Sequence, residues 1–207
     1  MALITLPTKF GFSRIERFGL TRRSNSLRSR YTGQGQTVVY PYAVWEFEGT
    51  LIEYDGPEAA AIRAFLVDLE GQKNTFRLPV PGYNGPSTGF KADVMNLAVA
   101  QRATSITMTN WPDQGPFNNQ PLFKKGDYFS IGAELKMVTE NVTFDAAGQA
   151  VVNFKPATRK AYGAGFGVNV VNPYCTMRAV EDDVASWAIS APVRQSSKFE
   201  AIEAVDI

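Results

Sequence analysis

Histidine is missing from this chain altogether, and cysteine occurs once, at Cys175. Without an imidazole, the usual general base near neutral pH and the commonest metal ligand are both excluded. A lone Cys175 forms no intramolecular disulfide and supplies no thiolate zinc site. Chains built without disulfides suit a reducing compartment. Long apolar runs are lacking as well: no window approaches the ~20 residues of a membrane-spanning helix. The chain is therefore expected to be soluble, with no membrane insertion. The first residues, MALITLPTKF, lack the basic start and apolar stretch of a secretory leader. Net charge is only +1, which sets up no overall field toward nucleic acid.

What is present is a chain of 207 residues, long enough for one large or two small domains. Its charge is unevenly placed. Residues 9–30 carry Lys9, Arg14, Arg17, Arg22, Arg23, Arg28 and Arg30 against Glu16 alone. Residues 181–207 carry Glu181, Asp182, Asp183, Glu200, Glu203 and Asp206 against Arg194 and Lys198.

The stretch 45–81 organises the rest. Trp45, Phe47 and Leu51 alternate with Glu46, Glu48 and Thr50, the pattern of a half-buried strand. Asp55 is placed as an N-cap, with Pro57 just inside and Glu58 three residues on. Ala61, Ile62, Phe65, Leu66 and Leu69 then make one apolar stripe, and Gly71 stands where a left-handed cap belongs. The spacing predicts a helix over 57–70 and a strand over 75–78. Such a helix buries its stripe only by lying on a sheet.

Before this unit, residues 21–30 show no usable periodicity and read as a loop or extended arm. Two readings stand: a solvated surface loop, or an arm that docks on the acidic surface of a neighbouring subunit. Nucleic-acid binding is a third, but aromatic residues to stack bases are not interleaved with these arginines. Pro41, within the strand-like run 37–53, predicts an edge strand or a break.

After it, residues 79–90 (PVPGYNGPSTGF) carry the clearest linker signal. Alternation around Ile106 and Met108, a hairpin through Gly132 and Ala133, a turn from Asp145 to Gly148 and a strand over 151–154 predict a small barrel or sandwich. Asn172 and Pro173 mark a second boundary. Trp187, Ile189 and Ala191 alternate as a strand able to pair within the first sheet, and residues 199–205 predict another. The expected fold is mainly β with one α-helix packed on a sheet. Residues 1–82 and 172–207 form one β domain, and residues 83–171 an inserted small β-barrel.

Reactive constellations are weak. Gly163, Gly165 and Gly167 lack the Gly-Lys-Ser/Thr ending of a phosphate loop, and a plain loop fits them better. Glu181, Asp182 and Asp183 are consecutive, so on a strand they diverge rather than converge on a cation; a solvated turn is the simpler reading. Glu46 and Glu48 share a face as glycosidase carboxylates do, yet that face is also simply the wet side of a sheet. No Ser or Cys nucleophile has a histidine base. Trp111, in the turn-rich run 111–121, is the candidate for stacking on a sugar ring, against a core or subunit contact. No catalytic residue, cofactor or metal is expected.

The order of these pieces carries a resemblance. The Trp45 strand, the helix ending Ala64-Phe65-Leu66-x-x-Leu69-x-Gly71, and Phe76-Arg-Leu78-Pro79-x-Pro81 come first. Lys125-Gly126-Asp127-Tyr128-x-x-Ile131-Gly132, Asp145-Ala-Ala-Gly148-x-Ala150, Asn172-Pro173 and a late Trp187 follow. Over most of residues 37–190 the chain resembles the distal tail proteins of long, non-contractile-tailed bacteriophages (siphovirus type). That resemblance implies a ring-forming β-sandwich or barrel domain that closes into a hexameric collar, with a peripheral domain of OB type. It implies a structural virion protein of the tail tip or baseplate, assembled in the bacterial cytoplasm, with no enzyme activity. Its partners would be copies of itself, the tail tube protein, hub and tip proteins, and a receptor-binding protein or host glycan. Within that frame Arg22, Arg23, Arg28 and Arg30 are expected to meet Glu181, Asp182 and Asp183, or the C-terminal acids, of a neighbour. Alternatives are a carbohydrate-binding or receptor-binding tail component, another minor tail protein such as a tail terminator, and a hydrolase.

Overall fold

A computed structural model describes the chain except for residues 53–55, 93, 111–117, 187, 191–193 and 206–207, with backbone only at 23, 39–42, 110, 188–190 and 194–196. In chain order it runs β1 (Leu3–Ile4), β2 (Phe12–Arg28), β3 (Gly35–Leu51), α1 (Gly56–Asp68) and β4 (Thr75–Pro79). Then come β5 (Val94–Asn96), β6 (Ser105–Asn110), β7 (Pro121–Phe123), β8 (Tyr128–Ile131), β9 (Glu134–Val138), β10 (Val142–Thr143), β11 (Gln149–Lys155) and β12 (Gly167–Asn169). The chain closes with β13 (Tyr174–Ala179), β14 (Ala188–Ser190), β15 (Arg194–Ser196) and β16 (Lys198–Glu203). The fold is β-rich with one α-helix among the described residues and a closed, six-stranded antiparallel barrel.

The alternation around Trp45 forms the expected strand: Trp45, Phe47 and Leu51 are buried, and Glu46, Glu48 and Thr50 are partly exposed. It sits in a six-stranded sheet of order β1-β4-β13-β16-β3-β2. Helix α1 lies on that sheet through Ala59, Ile62, Phe65 and Leu66, which, with Leu69 just past its end, share a core with Phe47, Phe76, Leu78, Met177 and Phe199. One stripe position differs from the spacing argument. Ala61 is exposed and Ala59 is buried, because the inward face is set by Ile62 and Phe65, and Ala59 lies three residues before Ile62. Gly71 has φ 64°, and an added Cβ there would lie 2.7 Å from a carboxylate oxygen of Asp182. Asp55, the expected N-cap, lies outside the described residues.

The barrel has the order β11-β6-β5-β12-β8-β9 and closes from β9 back to β11. Its interior is filled by Met108, Phe129, Ile131, Val152 and Phe154, and the two-stranded pair β7–β10 contributes Leu122, Phe123 and Val142 to the same core. Gly132 turns β8 into β9 with φ 57°. Asp145 closes the turn before β11 by accepting from the backbone N–H groups of Ala147 and Gln149 at 2.8 and 2.9 Å. The barrel strands lie between β4 and β13 in sequence, and those two are neighbours in the sheet, with Pro79 opposite Tyr174.

Residues 79–90 are no slack tether. Tyr83 donates its hydroxyl proton to the Tyr128 carbonyl at 3.1 Å, and the buried Asp127 accepts from the Ser87 N–H at 3.0 Å and the Ser87 hydroxyl at 2.5 Å. Proline and glycine here shape a fixed crossing, because buried acceptors hold it.

Two expectations are corrected. Residues 21–28 belong to β2, a 17-residue strand paired with β3, and 29–30 enter the turn between them, so the arm is a β-ribbon. Every residue from 24 to 38 is exposed, so neither face is apolar and the usual period-2 signal is erased. The strand 188–190 pairs with 194–196 in a separate two-stranded sheet and not with the first sheet. Trp187 and Ala191, on which that expectation also rested, lie outside the described residues.

Candidate functional site

Two features of the molecule go beyond holding a core together: the basic ribbon and a buried charged junction between sheet and barrel.

The ribbon begins where β3 loses its inner partner. Strand β16 pairs with β3 from Lys198 opposite Thr50 to Ile202 opposite Glu46. Beyond Trp45, β3 continues with β2 alone, from Arg22 opposite Ala43 to Arg28 opposite Gly35. Between Arg22 and Ser24 stands one residue; between their partners Ala43 and Val39 stand three. This is a bulge, and it holds Pro41, which cannot donate to a ladder. Proline thus marks a bulge within one continuous 17-residue strand. Arg22 and Arg30 are exposed; Arg28 donates through Nε to the Gly33 carbonyl at 3.3 Å; the Arg23 side chain is not described. Leu27 and Tyr31 are also exposed, Tyr31 completely.

The acidic counterpart divides in two. Glu181 and Asp183 line an open groove with Val184, Ser186, Ser197, Lys198 and Glu200. Asp182 is engaged within its own chain: its carboxylate accepts from the Gln72 N–H at 3.3 Å, beside Gly71. Glu203 is buried, so it does not belong to the acidic surface. Glu46 and Glu48 pair with Arg17 at 2.8 Å and Lys198 at 2.7 Å, which ties up the face once open to a glycosidase reading. Trp111 lies outside the described residues. Gly165 donates to the Asn96 carbonyl at 2.9 Å and has φ 79°, as a turn requires.

The junction escaped sequence reasoning. Strand β9 is a shared wall. Leu135 points into the sheet's core, while Val138 points into the barrel's. On Val138's side of the strand stand Glu134 and Lys136, paired at 2.5 Å and both buried. Glu134 also accepts the Tyr162 hydroxyl at 2.8 Å and the Arg159 N–H at 3.0 Å. The Arg159 guanidinium reaches the sheet, forming a two-pronged pair with Glu203, one prong at 2.7 Å, and donating to the Ala43 carbonyl at 2.8 Å. Glu203 in turn accepts the Trp45 N–H at 3.1 Å. The only legible trace is Lys136 between Leu135 and Met137, a cation inside an apolar strand.

Burial sets the electrostatics of this network. It would raise the Glu134 carboxyl, but Lys136 and the hydrogen bonds from Tyr162 and Arg159 outweigh it and hold that group below its ordinary value. Burial lowers Lys136 despite its partner. Burial and the bond to Glu134 raise Tyr162. Burial raises the Cys175 thiol, with Glu203 adding to it. Every charge in the network has a partner within hydrogen-bond reach, which is how a fold fastens two layers. Among the described residues no group of three or more His, Cys, Asp or Glu is placed to hold a metal, and no helix is long and apolar enough to cross a membrane. No family model matches this chain, and no curated protein matches it.

Proposed function

We propose that this chain is a structural protein of a phage tail, of the distal tail type. Copies associate head to tail into a ring between tail tube and tip, with residues 1–82 and 172–207 as the ring domain and the barrel of residues 83–171 outward. The barrel takes the place of the OB-type peripheral domain, with six strands where that fold has five. The protein makes and breaks no bonds.

The observation that carries this reading is the ribbon. A two-stranded ribbon is marginal in water on its own, and this one is exposed at every residue from 24 to 38, with Leu27 and Tyr31 among them. A neighbour that covers it supplies the missing burial. Arg22, Arg23, Arg28 and Arg30 lie on it, and Glu181, Asp183 and Glu200 line a groove elsewhere on the molecule. Two different patches that complement each other give heterologous contacts, and such contacts close into rings. Each exposed pair contributes only about 0.2–1 kcal/mol, so the apolar contacts of Leu27 and Tyr31 carry the rest.

Light scattering of the purified chain tests this. The expected mass is a multiple of the protomer, six for a hexamer. Reversal of Arg22, Arg23, Arg28 and Arg30 to Glu is expected to return monomers. A monomer at high concentration, or a reversed variant of unchanged mass, would defeat the proposal. Electron microscopy of virions with labelled antibody checks the placement at the tail tip.

A further inference from the structure

The root of the ribbon is built in an unusual way. Inner-strand pairing to β3 stops at Glu46, opposite Ile202. The next two backbone groups facing that side, the Trp45 N–H and the Ala43 carbonyl, are taken by side chains: Glu203 accepts the first at 3.1 Å and Arg159 donates to the second at 2.8 Å. Two mutually paired side chains, Glu203 buried and Arg159 partly buried, therefore continue a ladder where the strand has ended. Glu203 belongs to the sheet. Arg159 comes from the loop between the barrel strands β11 and β12, and its own N–H is anchored to Glu134 of β9. The bulge opposite Arg23 follows at once, at residues 40–42.

We infer that the Arg159–Glu203 pair is a clasp through which the barrel sets the direction of the ribbon. The bulge is the pivot, because three residues facing one leave ladder groups unmatched and bend the strand. Immediately before it, the clasp fixes one end of the pivot to the barrel. A contact that shifts the Arg159 loop moves the ribbon's root with it, since no other cation in this network bonds the β3 backbone. The inference does not rest on the oligomeric reading: it concerns two parts of one chain.

The test uses the full chain with spin labels at Tyr31→Cys on the ribbon tip and Val151→Cys on the exposed face of the barrel. Cys175 is buried and remains unlabelled. Excess unlabelled chain dilutes contacts between labelled copies. Distances are measured by pulsed electron resonance, and amide exchange is followed in parallel. In Arg159→Met the tip-to-barrel distribution is expected to broaden. The Trp45 amide is expected to exchange about tenfold faster or more, the scale of one charge-assisted hydrogen bond, while the amides of Phe129 and Val152 inside the barrel hold their rates. Arg159→Lys keeps the charge and loses the fork, and it should fall between; it also serves if the Met variant does not fold. An unchanged distribution in the folded variant overturns the inference. So does acceleration spread equally over ribbon and barrel, which is a general loss of stability.

Discussion

The indole N–H of Trp45 donates to the carbonyl oxygen of Leu135 at 2.9 Å. One side chain thereby joins the sheet to the shared wall of the barrel, while its ring stacks on Phe18 at 5.4 Å and meets Tyr128 edge-on at 5.8 Å. Trp45→Phe keeps most of the apolar contact and leaves the Leu135 carbonyl buried without this donor. The expected cost is about 1–3 kcal/mol, read as a lower urea midpoint at unchanged slope. A midpoint equal to that of the wild type would show that the bond adds nothing.

Lys136→Met removes the cation and leaves the Glu134 carboxylate buried. Breaking one side of a buried pair costs about 3–5 kcal/mol. Adding Glu134→Gln removes the stranded charge and should recover part of that loss, because replacing both members of such a pair is often close to neutral. Chemical denaturation of the wild type, the single and the double variant decides it. A double variant less stable than Lys136→Met contradicts the argument.

Glu134 also sets a pH dependence. Its folded pKa lies below the ordinary 4.5, so the unfolded chain binds its proton at higher pH than the folded chain does. The stabilisation is complete above the unfolded value and is lost as pH falls through the folded one. Urea midpoints are expected to fall below pH 4.5, and more steeply in the wild type than in Glu134→Gln. Equal slopes would remove Glu134 from the account.

Gly71 tests the helix end. At φ 64° an alanine is strained, and its Cβ would sit 2.7 Å from Asp182 Oδ1 and 2.9 Å from the Asp182 backbone. Gly71→Ala is expected to cost at least ~1 kcal/mol, seen as a lower melting temperature. A variant as stable as the wild type would mean that the 181–183 turn gives way freely.

How much of this was legible in residues alone differs by feature. Phe47 and Leu51, the stripe of Ile62, Phe65, Leu66 and Leu69, and Gly71 announced themselves because each answers to a local rule of period or backbone angle. The ribbon did not, since Arg22, Asn25 and Arg28 lie on a surface with no inside face to alternate against. Nor did the clasp. Glu134 and Arg159 stand 25 residues apart, and Glu203 lies 44 beyond Arg159; no spacing rule joins them.

Taken by itself, the chain's order of residues determined a β-rich protein with a helix laid on a sheet and short strands bounded by turns. Those features are decided within a few residues, by which side chains must leave water and which backbone angles glycine and proline allow. Only the folded chain decided which six short strands close the expected small barrel and in what order, that the arginine-rich stretch is a ribbon, and that Lys136, Glu134, Arg159 and Glu203 meet between the layers. A buried charge is tolerated when its partner is present, and partners so far apart in the chain are brought together only when both layers are packed.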